Sequence, residues 1–181
     1  MSDRTYLQGE HLILRAVEPE DLDFMYAVEN DPDCWNVSDF TAPYSRFALR
    51  QYIESTQCDI YADRQLRLMM VEQGSGQTVG TVDISDFSPR HARGEVGILV
   101  RREYRGRGYA REALTLLCDY AFGFLSLHQL AARIPADHEA SLRLFRSCGF
   151  EECGLLRQWW SVGNAYKDVV LMQRINFPLL P

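Results

Sequence analysis

The sequence contains little that would support a disulfide framework, a structural zinc site or a membrane anchor. Its five cysteines are an odd number, are widely spread and include no C-x-x-C pair, so neither zinc nor disulfides are expected to hold the fold. No apolar run approaches the roughly 20 residues that span a bilayer, and residues 1–4 (MSDR) lack the apolar core of a signal peptide. We therefore expect a cytoplasmic protein with no membrane partner and no bound metal.

Size and composition indicate one globular domain. The chain has 181 residues, of which 46% are hydrophobic and 24% charged, which is typical of a folded protein with its own core. We expect residues 1–181 to form a single domain with its core at about 10–175. The formal net charge of −6 argues against non-specific binding to nucleic acid and weakly favours cationic partners.

Hydrophobic periodicity predicts alternating strands and helices along the chain. Four segments have helical spacing or helix start signals: one from Pro19, 46–59, about 108–125 and 138–148. Seven runs resemble strands: 11–17, 66–72, 78–84, 94–100, 128–135, 155–162 and 166–175. The predicted order is β-α-α-β-β-β-α-β-α-β-β, an α/β (α+β) fold in which helices cover both faces of a mixed sheet.

A glycine-rich turn separates the fourth strand from the longest amphipathic helix. Gly106 and Gly108 let the backbone approach a ligand closely, and the helix that begins near Gly108 directs unpaired N–H groups to the same place. Arginines at 101, 102, 105 and 107 add positive charge. The spacing matches neither the GxxxxGK[ST] phosphate loop nor the GxGxxG dinucleotide motif. The turn is therefore predicted to bind an anion by another pattern.

The pattern Arg105-x-x-Gly108-x-Ala110 resembles the pyrophosphate-binding signature of the GNAT superfamily of acetyl-CoA-dependent N-acetyltransferases. Residues 137–150, which end in Gly149-Phe150, resemble the family's helix after the fifth strand. Residues 14–22 and 90–98 resemble the branch that holds ribosomal-protein N-terminal and spermidine acetyltransferases. The resemblance covers about residues 10–175, and the element order agrees with it.

The resemblance implies a mostly antiparallel sheet of about seven strands that splays between the fourth and fifth, with about four helices. Acetyl-CoA would be the co-substrate, with its pantetheine arm in the gap. The implied cofactor-binding residues are Ile98, Leu99, Val100, Arg105, Gly106, Arg107, Gly108, Tyr109, Ala110, Arg111 and His138. Within this set we expect Arg107 and Arg111 to meet phosphate charge, and His138 takes the position of a family asparagine.

Catalysis is predicted at the fourth strand. Glu95 is the candidate general base, acting directly or through water, because an amine acceptor must lose a proton; a pairing of Glu95 with Arg93 or another strand is the alternative. The family resemblance implies that the backbone N–H of Leu99, or of a neighbour, polarises the thioester carbonyl. The family's proton-donating tyrosine is replaced by Phe145, which has no proton to give. Further candidates for the proton are Tyr104, Tyr109 and Tyr166.

The acceptor cleft is predicted to be acidic, with Asp31, Trp35, Asp83 and Asp86 as candidate substrate-binding residues. The acceptor would be a primary amine of a polyamine-like small molecule or of a protein N-terminus.

Two alternative functions stay open: a non-catalytic acyl-CoA-binding module, suggested by Phe145, and an interaction protein using Trp35, Trp159 and Trp160. Adjacent strand residues face opposite sides, so we expect one of Trp159 and Trp160 in the core and the other at the cleft or at a partner subunit. The sequence also leaves open whether the protein forms a homo-oligomer.

Overall fold

The computed structural model of the chain describes residues 6–32 and 42–177. In these residues seven strands form one sheet: β1 Leu12–Ala16, β2 Leu66–Glu72, β3 Thr78–Ser88, β4 Arg93–Val100, β5 Gln129–Pro135, β6 Glu151–Val162 and β7 Ala165–Ile175. The α-helices are α1 Leu22–Glu29, α2 Arg46–Ser55, α3 Ile60–Asp63, α4 Tyr109–Asp119 and α5 Glu139–Ser147. None of these helices is long and apolar enough to cross a bilayer.

The sheet has the order β1-β2-β3-β4-β5-β7-β6, and every neighbouring pair is antiparallel except β4 with β5. These two strands pair in parallel from Arg93 opposite Gln129 to Glu95 opposite Ala131 and no further. The remaining residues of both strands diverge. The predicted mixed sheet and its opening between the fourth and fifth strands are therefore confirmed.

Two hydrophobic layers cover the sheet, one on each face. The larger layer packs α4 and α5 against the sheet. The α4 residues recur at three- and four-residue steps, as predicted, and the buried residues of the two helices include Ala113, Leu114, Leu117, Cys118, Leu142 and Phe145. The smaller layer holds α1 and α2 against β2 through Met25, Leu49, Ile53 and Met69. Hereafter the α1/α2 side is called the acceptor face, because Asp83, one of the residues predicted to bind the acceptor, bonds to Arg67 on this side.

Four local predictions need correction. The second helix ends at Ser55, because Thr56 is extended, and the short α3 follows it. The helix predicted for about 108–125 is α-helical only to Asp119; it continues as a π-helical segment, Tyr120–Phe124, in which Phe124 is 63% exposed. The N-cap of α5 is His138, whereas Asp137 forms an ion pair with Lys167 at 2.6 Å.

The tryptophan pair on β6 is the fourth correction. Neither ring is in the core: Trp159 is 52% exposed. Trp160 lines the opening between β4 and β5, which is one of the two places expected for the second ring. A shift in the β6–β7 register lies between Leu156 and Trp160, and such irregularities change where side chains point. Gly149, in contrast, has φ +83° as expected of a left-handed helix end.

Candidate active site

The divergence of β4 and β5 opens a cleft of about 680 Å³ that continues to the start of α4. The cleft has an apolar end between the strands and a polar end at the glycine-rich turn. Of the residues predicted to bind the cofactor, these line it: Ile98, Leu99, Val100, Arg105, Gly106, Gly108, Tyr109, Ala110, Arg111 and His138. The structure thus brings together in one cavity residues that come from β4, the turn, α4 and the start of α5.

The turn before α4 has the backbone that its glycines predict. Gly106 and Gly108 have φ of +76° and +85°, a region that other residues adopt only with strain. A Cβ at either position would meet no atom within 4 Å, so the requirement for glycine is conformational and not steric. Gly108 is the N-cap of α4, and the free N–H groups of the first turn there suit a phosphate.

Two tyrosine hydroxyls attach this turn to the β2–β3 hairpin. Tyr104 donates a hydrogen bond to the side chain of Gln77, and Tyr109 donates one to the carboxylate of Glu72. The bond to Glu72 raises the pKa of Tyr109 above its ordinary value. Both tyrosines were candidates for supplying a proton, but their hydroxyls face the hairpin. Their role in the structure is to position the turn.

We expect Tyr109→Phe to raise the KM for acetyl-CoA by about three- to tenfold with little change in kcat, because it removes one anchoring hydrogen bond of the turn. Steady-state kinetics at saturating acceptor and calorimetric titration with CoA measure the two effects. Tyr61→Phe is the matched control, since Tyr61 is an exposed tyrosine on α3. A fall in kcat with an unchanged KM would contradict the positioning role.

The arginines around the turn are held in different ways. Arg105 donates from Nε to the carbonyl of Val100 at 3.0 Å, and Arg107 donates to the carbonyl of Glu103 at 3.2 Å. Arg107 also stacks on the ring of Tyr104, 5.3 Å from its centroid, and it is the one predicted cofactor residue that does not line the cleft. Arg111 does line it, so it is better placed than Arg107 to meet phosphate charge.

The backbone of β4 presents alternate residues to the cleft, which corrects the prediction for Leu99. The N–H of Arg101 donates to the carbonyl oxygen of Val79 on β3 at 2.9 Å. The carbonyl oxygen of Leu99 also points to β3, since it would lie 2.2 Å from a Cβ placed on Gly80 of that strand. In an antiparallel ladder, residues two apart direct both backbone groups to the same neighbour. The N–H of Leu99 therefore faces β3, whereas those of Ile98 and Val100 face the cleft.

Glu95 lies where the two strands part. Its carboxylate accepts a hydrogen bond from Nε of Arg133 on β5 at 2.8 Å, and the Glu95 side chain is 22% exposed. Arg133 lines the cleft, so this ion pair stands at the cleft margin. Sequence reasoning missed Arg133, although a single arginine inside the apolar run 128–135 was a signal that one side of β5 is polar.

Phe145 and His138 occupy the α5 wall of the cleft. Phe145 is 2% exposed and packs edge-to-face on Phe150 with ring centroids 5.0 Å apart, so its ring is part of the core. Nδ1 of His138 accepts a hydrogen bond from the N–H of Ser141 at 3.1 Å. The neutral imidazole therefore carries its proton on Nε2, where it can donate to a ligand.

The predicted acceptor-binding acids separate into different places. Asp83 on β3 lies beside Gly97 of β4: its Oδ2 would be 3.6 Å from a Cβ at Gly97. Asp86 pairs with Arg93 at 3.1 Å near the far end of β3 and does not line the cleft. Asp31 follows α1 and does not line it either, and Trp35 lies outside the described residues. Of the four, Asp83 is next to the cleft.

Comparisons with known proteins bear on the family and on the fold. The acetyltransferase (GNAT) domain family matches residues 11–151. Spermidine N(1)-acetyltransferase of Vibrio cholerae is 27% identical over 164 residues, which cover 91% of this chain and 92% of that enzyme. A crystal structure of the spermidine N-acetyltransferase from Vibrio cholerae with CoA and spermine superposes with a TM-score of 0.83 at 26% identity, covering 92% of this chain and 96% of that one. Ribosomal-protein-S5-alanine acetyltransferase of Vibrio fischeri shares the fold, with a TM-score of 0.82 at 20% identity over 96% and 98% of the two chains.

Proposed function

Because the chain belongs to the GNAT family of acetyltransferases, we propose that it acetylates a primary amine that reaches the cleft from the acceptor face, above Gly97. The enzyme is an N-acetyltransferase, an acyltransferase, and acetyl-CoA is its co-substrate. Acetyl-CoA supplies an activated acyl group; the residues of the chain have to hold it, orient the amine and move a proton.

The observation that carries the proposal is the gap at Gly97. Gly97 lines the cleft and has no side chain, and Oδ2 of Asp83 lies beside the space that a side chain would fill. A protonated amine in that space is in ionic contact with Asp83 and next to the β4 backbone that faces the cleft. The carboxylate and the opening together form an entry for one ammonium group.

The surrounding residues can perform the proton and charge movements of acetyl transfer. Glu95, held by Arg133, takes a proton from the acceptor nitrogen directly or through water, so that the neutral amine forms its bond to the acyl carbon. The N–H of Ile98 polarises the acyl oxygen as the carbon–sulfur bond breaks. Once the nitrogen is bonded to the acyl carbon it has a second proton to lose. Phe145 supplies no proton, so this second proton passes through water to the thiolate that leaves when the carbon–sulfur bond breaks.

The acceptor belongs to one of two classes, a polyamine-like small molecule or a protein N-terminus. The spermidine acetyltransferases among the relatives support the first, and the second rests on the sequence resemblance. Self-association is part of the same proposal, since one structure of the Vibrio cholerae spermidine acetyltransferase is dodecameric. A cytoplasmic location stays a prediction from the sequence.

A thiol-release assay with acetyl-CoA tests the proposal. Polyamines, amino acids, aminoglycosides and short peptides are offered in turn, and calorimetry with CoA is run in parallel. At least one amine is expected to release thiol well above the rate of acetyl-CoA hydrolysis. Binding of CoA without thiol release on any amine would support instead the non-catalytic acyl-CoA-binding module.

A further inference from the structure

A second cavity, of about 230 Å³, lies on the acceptor face between α1, α2 and β2. Its walls are apolar and polar in about equal parts. The residues that line it are Met25, Glu29, Tyr44, Ala48, Leu49, Tyr52, Gln65 and Arg67. This mixture suits one small organic group that has both an apolar and a polar surface.

Arg67 connects this cavity to the acceptor entry at Gly97. Its Nε donates to Oδ1 of Asp83 at 2.6 Å, and its Nη1 donates to Glu29 at 2.5 Å. Asp83 thus bonds to Arg67 through one oxygen and lies beside Gly97 with the other. The Asp83–Arg67 ion pair is consequently the wall shared by the entry and the second cavity.

The charge on Arg67 is permanent. Burial disfavours the guanidinium, but Asp83 and Glu29 outweigh that effect and raise the pKa of Arg67 above its ordinary value. Among the residues that the structure describes, Nε and Nη1 are the donors in use. The N–H groups of Nη2 are therefore donors that a ligand in the second cavity can use.

Resting on the proposed acetyl transfer, we propose that the second cavity binds an apolar side group of the acceptor and that Arg67 selects an acceptor with a carbonyl oxygen next to its amine. The amine contacts Asp83 above Gly97, the carbonyl accepts from Arg67, and the side group packs against Met25, Leu49 and Tyr52. An α-amine followed by an uncharged carbonyl, as in the first residue of a peptide, has this arrangement.

A polyamine fits the same site poorly. Two carboxylates and one guanidinium leave the Glu29–Arg67–Asp83 cluster with a net charge of −1, which one ammonium group neutralises. A second ammonium would lie against Arg67, where like charges repel at low effective dielectric.

Ala48→Phe tests the subsite without touching the ion pairs, because Ala48 is exposed on α2 and lines the cavity. The probes are leucyl-alanine amide, glycyl-alanine amide and spermidine, each with acetyl-CoA. The kcat/KM of the wild-type enzyme is expected to be about tenfold higher for the leucyl amide than for the glycyl amide or spermidine. This is the discrimination that one apolar side group in a fitted pocket gives. Ala48→Phe is expected to abolish this preference for leucyl while leaving the glycyl amide within about twofold.

Ala27→Phe on α1 is the matched control, since Ala27 is exposed and lines neither cavity. It should leave all three rates unchanged. Preferred use of spermidine by the wild-type enzyme, or equal loss on both amides in Ala48→Phe, would overturn the subsite while acetyl transfer stands. If acetyl-CoA binds and none of the three probes nor any other amine releases thiol, acetyl transfer and the subsite are both rejected.

Discussion

Replacing Glu95 by glutamine is expected to lower kcat by about 10²- to 10⁴-fold, the range that a positioned general base contributes. Glutamine keeps the length of the side chain and can still accept a hydrogen bond from Arg133 through its carbonyl oxygen. It cannot take a proton from the acceptor nitrogen. The loss should therefore appear in kcat with the affinity for CoA unchanged, which single-turnover rates and calorimetry separate.

The split between the kinetic constants makes the same prediction independently. If Glu95 is the base, Glu95→Gln should lower kcat and kcat/KM for the amine by the same factor, because the lost interaction is made only in the transition state. Glu103→Gln is the control, because Glu103 also forms an ion pair with an arginine, Arg101 at 2.5 Å, and neither of these two residues lines the cleft. A Glu95→Gln enzyme that retains full rate would show that the pairing with Arg133 is purely structural.

The sequence predicted the parts of the site that depend on local pattern. Gly106, Gly108 and the apolar stripe of α4 are short-range signals, since a left-handed turn and a helix start are determined within a few residues. The opening between β4 and β5 came from the resemblance to the family, and the pairing that ends at Glu95 confirms it. These elements hold the cofactor end of the cleft.

The acceptor end depends on contacts between residues far apart in the chain, and periodicity carries no information on them. Arg67 meets Asp83 because β2 and β3 pair with those residues opposite one another, and Glu29 joins them from α1. The N–H of Leu99 was assigned to the cleft because a strand pattern does not reveal which neighbour a backbone group faces. Register across the sheet, which emerges only on folding, decides both points.

Arg67→Met is expected to lower the free energy of unfolding by about 2–4 kcal/mol, since removing one member of a mostly buried ion cluster leaves two carboxylates without the guanidinium that offset their charge. For a chain of this size, that corresponds to a fall in Tm of roughly 5–15 °C. Methionine is unbranched and apolar, and so fills much of the space of the arginine stem. The loss is therefore mainly electrostatic, and denaturant unfolding or calorimetry at neutral pH measures it.

A second substitution tests that cause. In Arg67→Met the carboxylates of Glu29 and Asp83 repel one another without the guanidinium between them. Adding Glu29→Gln removes one of the two charges and should recover part of the lost stability, whereas the destabilising effects of two independent packing defects would add. Arg50→Met, at an exposed position of the same α2 helix that helps to enclose the second cavity, should leave Tm unchanged. The acceptor preference should move with the charge. With Arg67 gone, Glu29 and Asp83 together carry a charge of −2. Spermidine should then gain about tenfold in kcat/KM relative to the leucyl amide, as expected of one added contact between opposite charges at a partly buried site. A variant that loses stability but keeps its acceptor preference would separate the two roles and leave Arg67 as a structural ion alone.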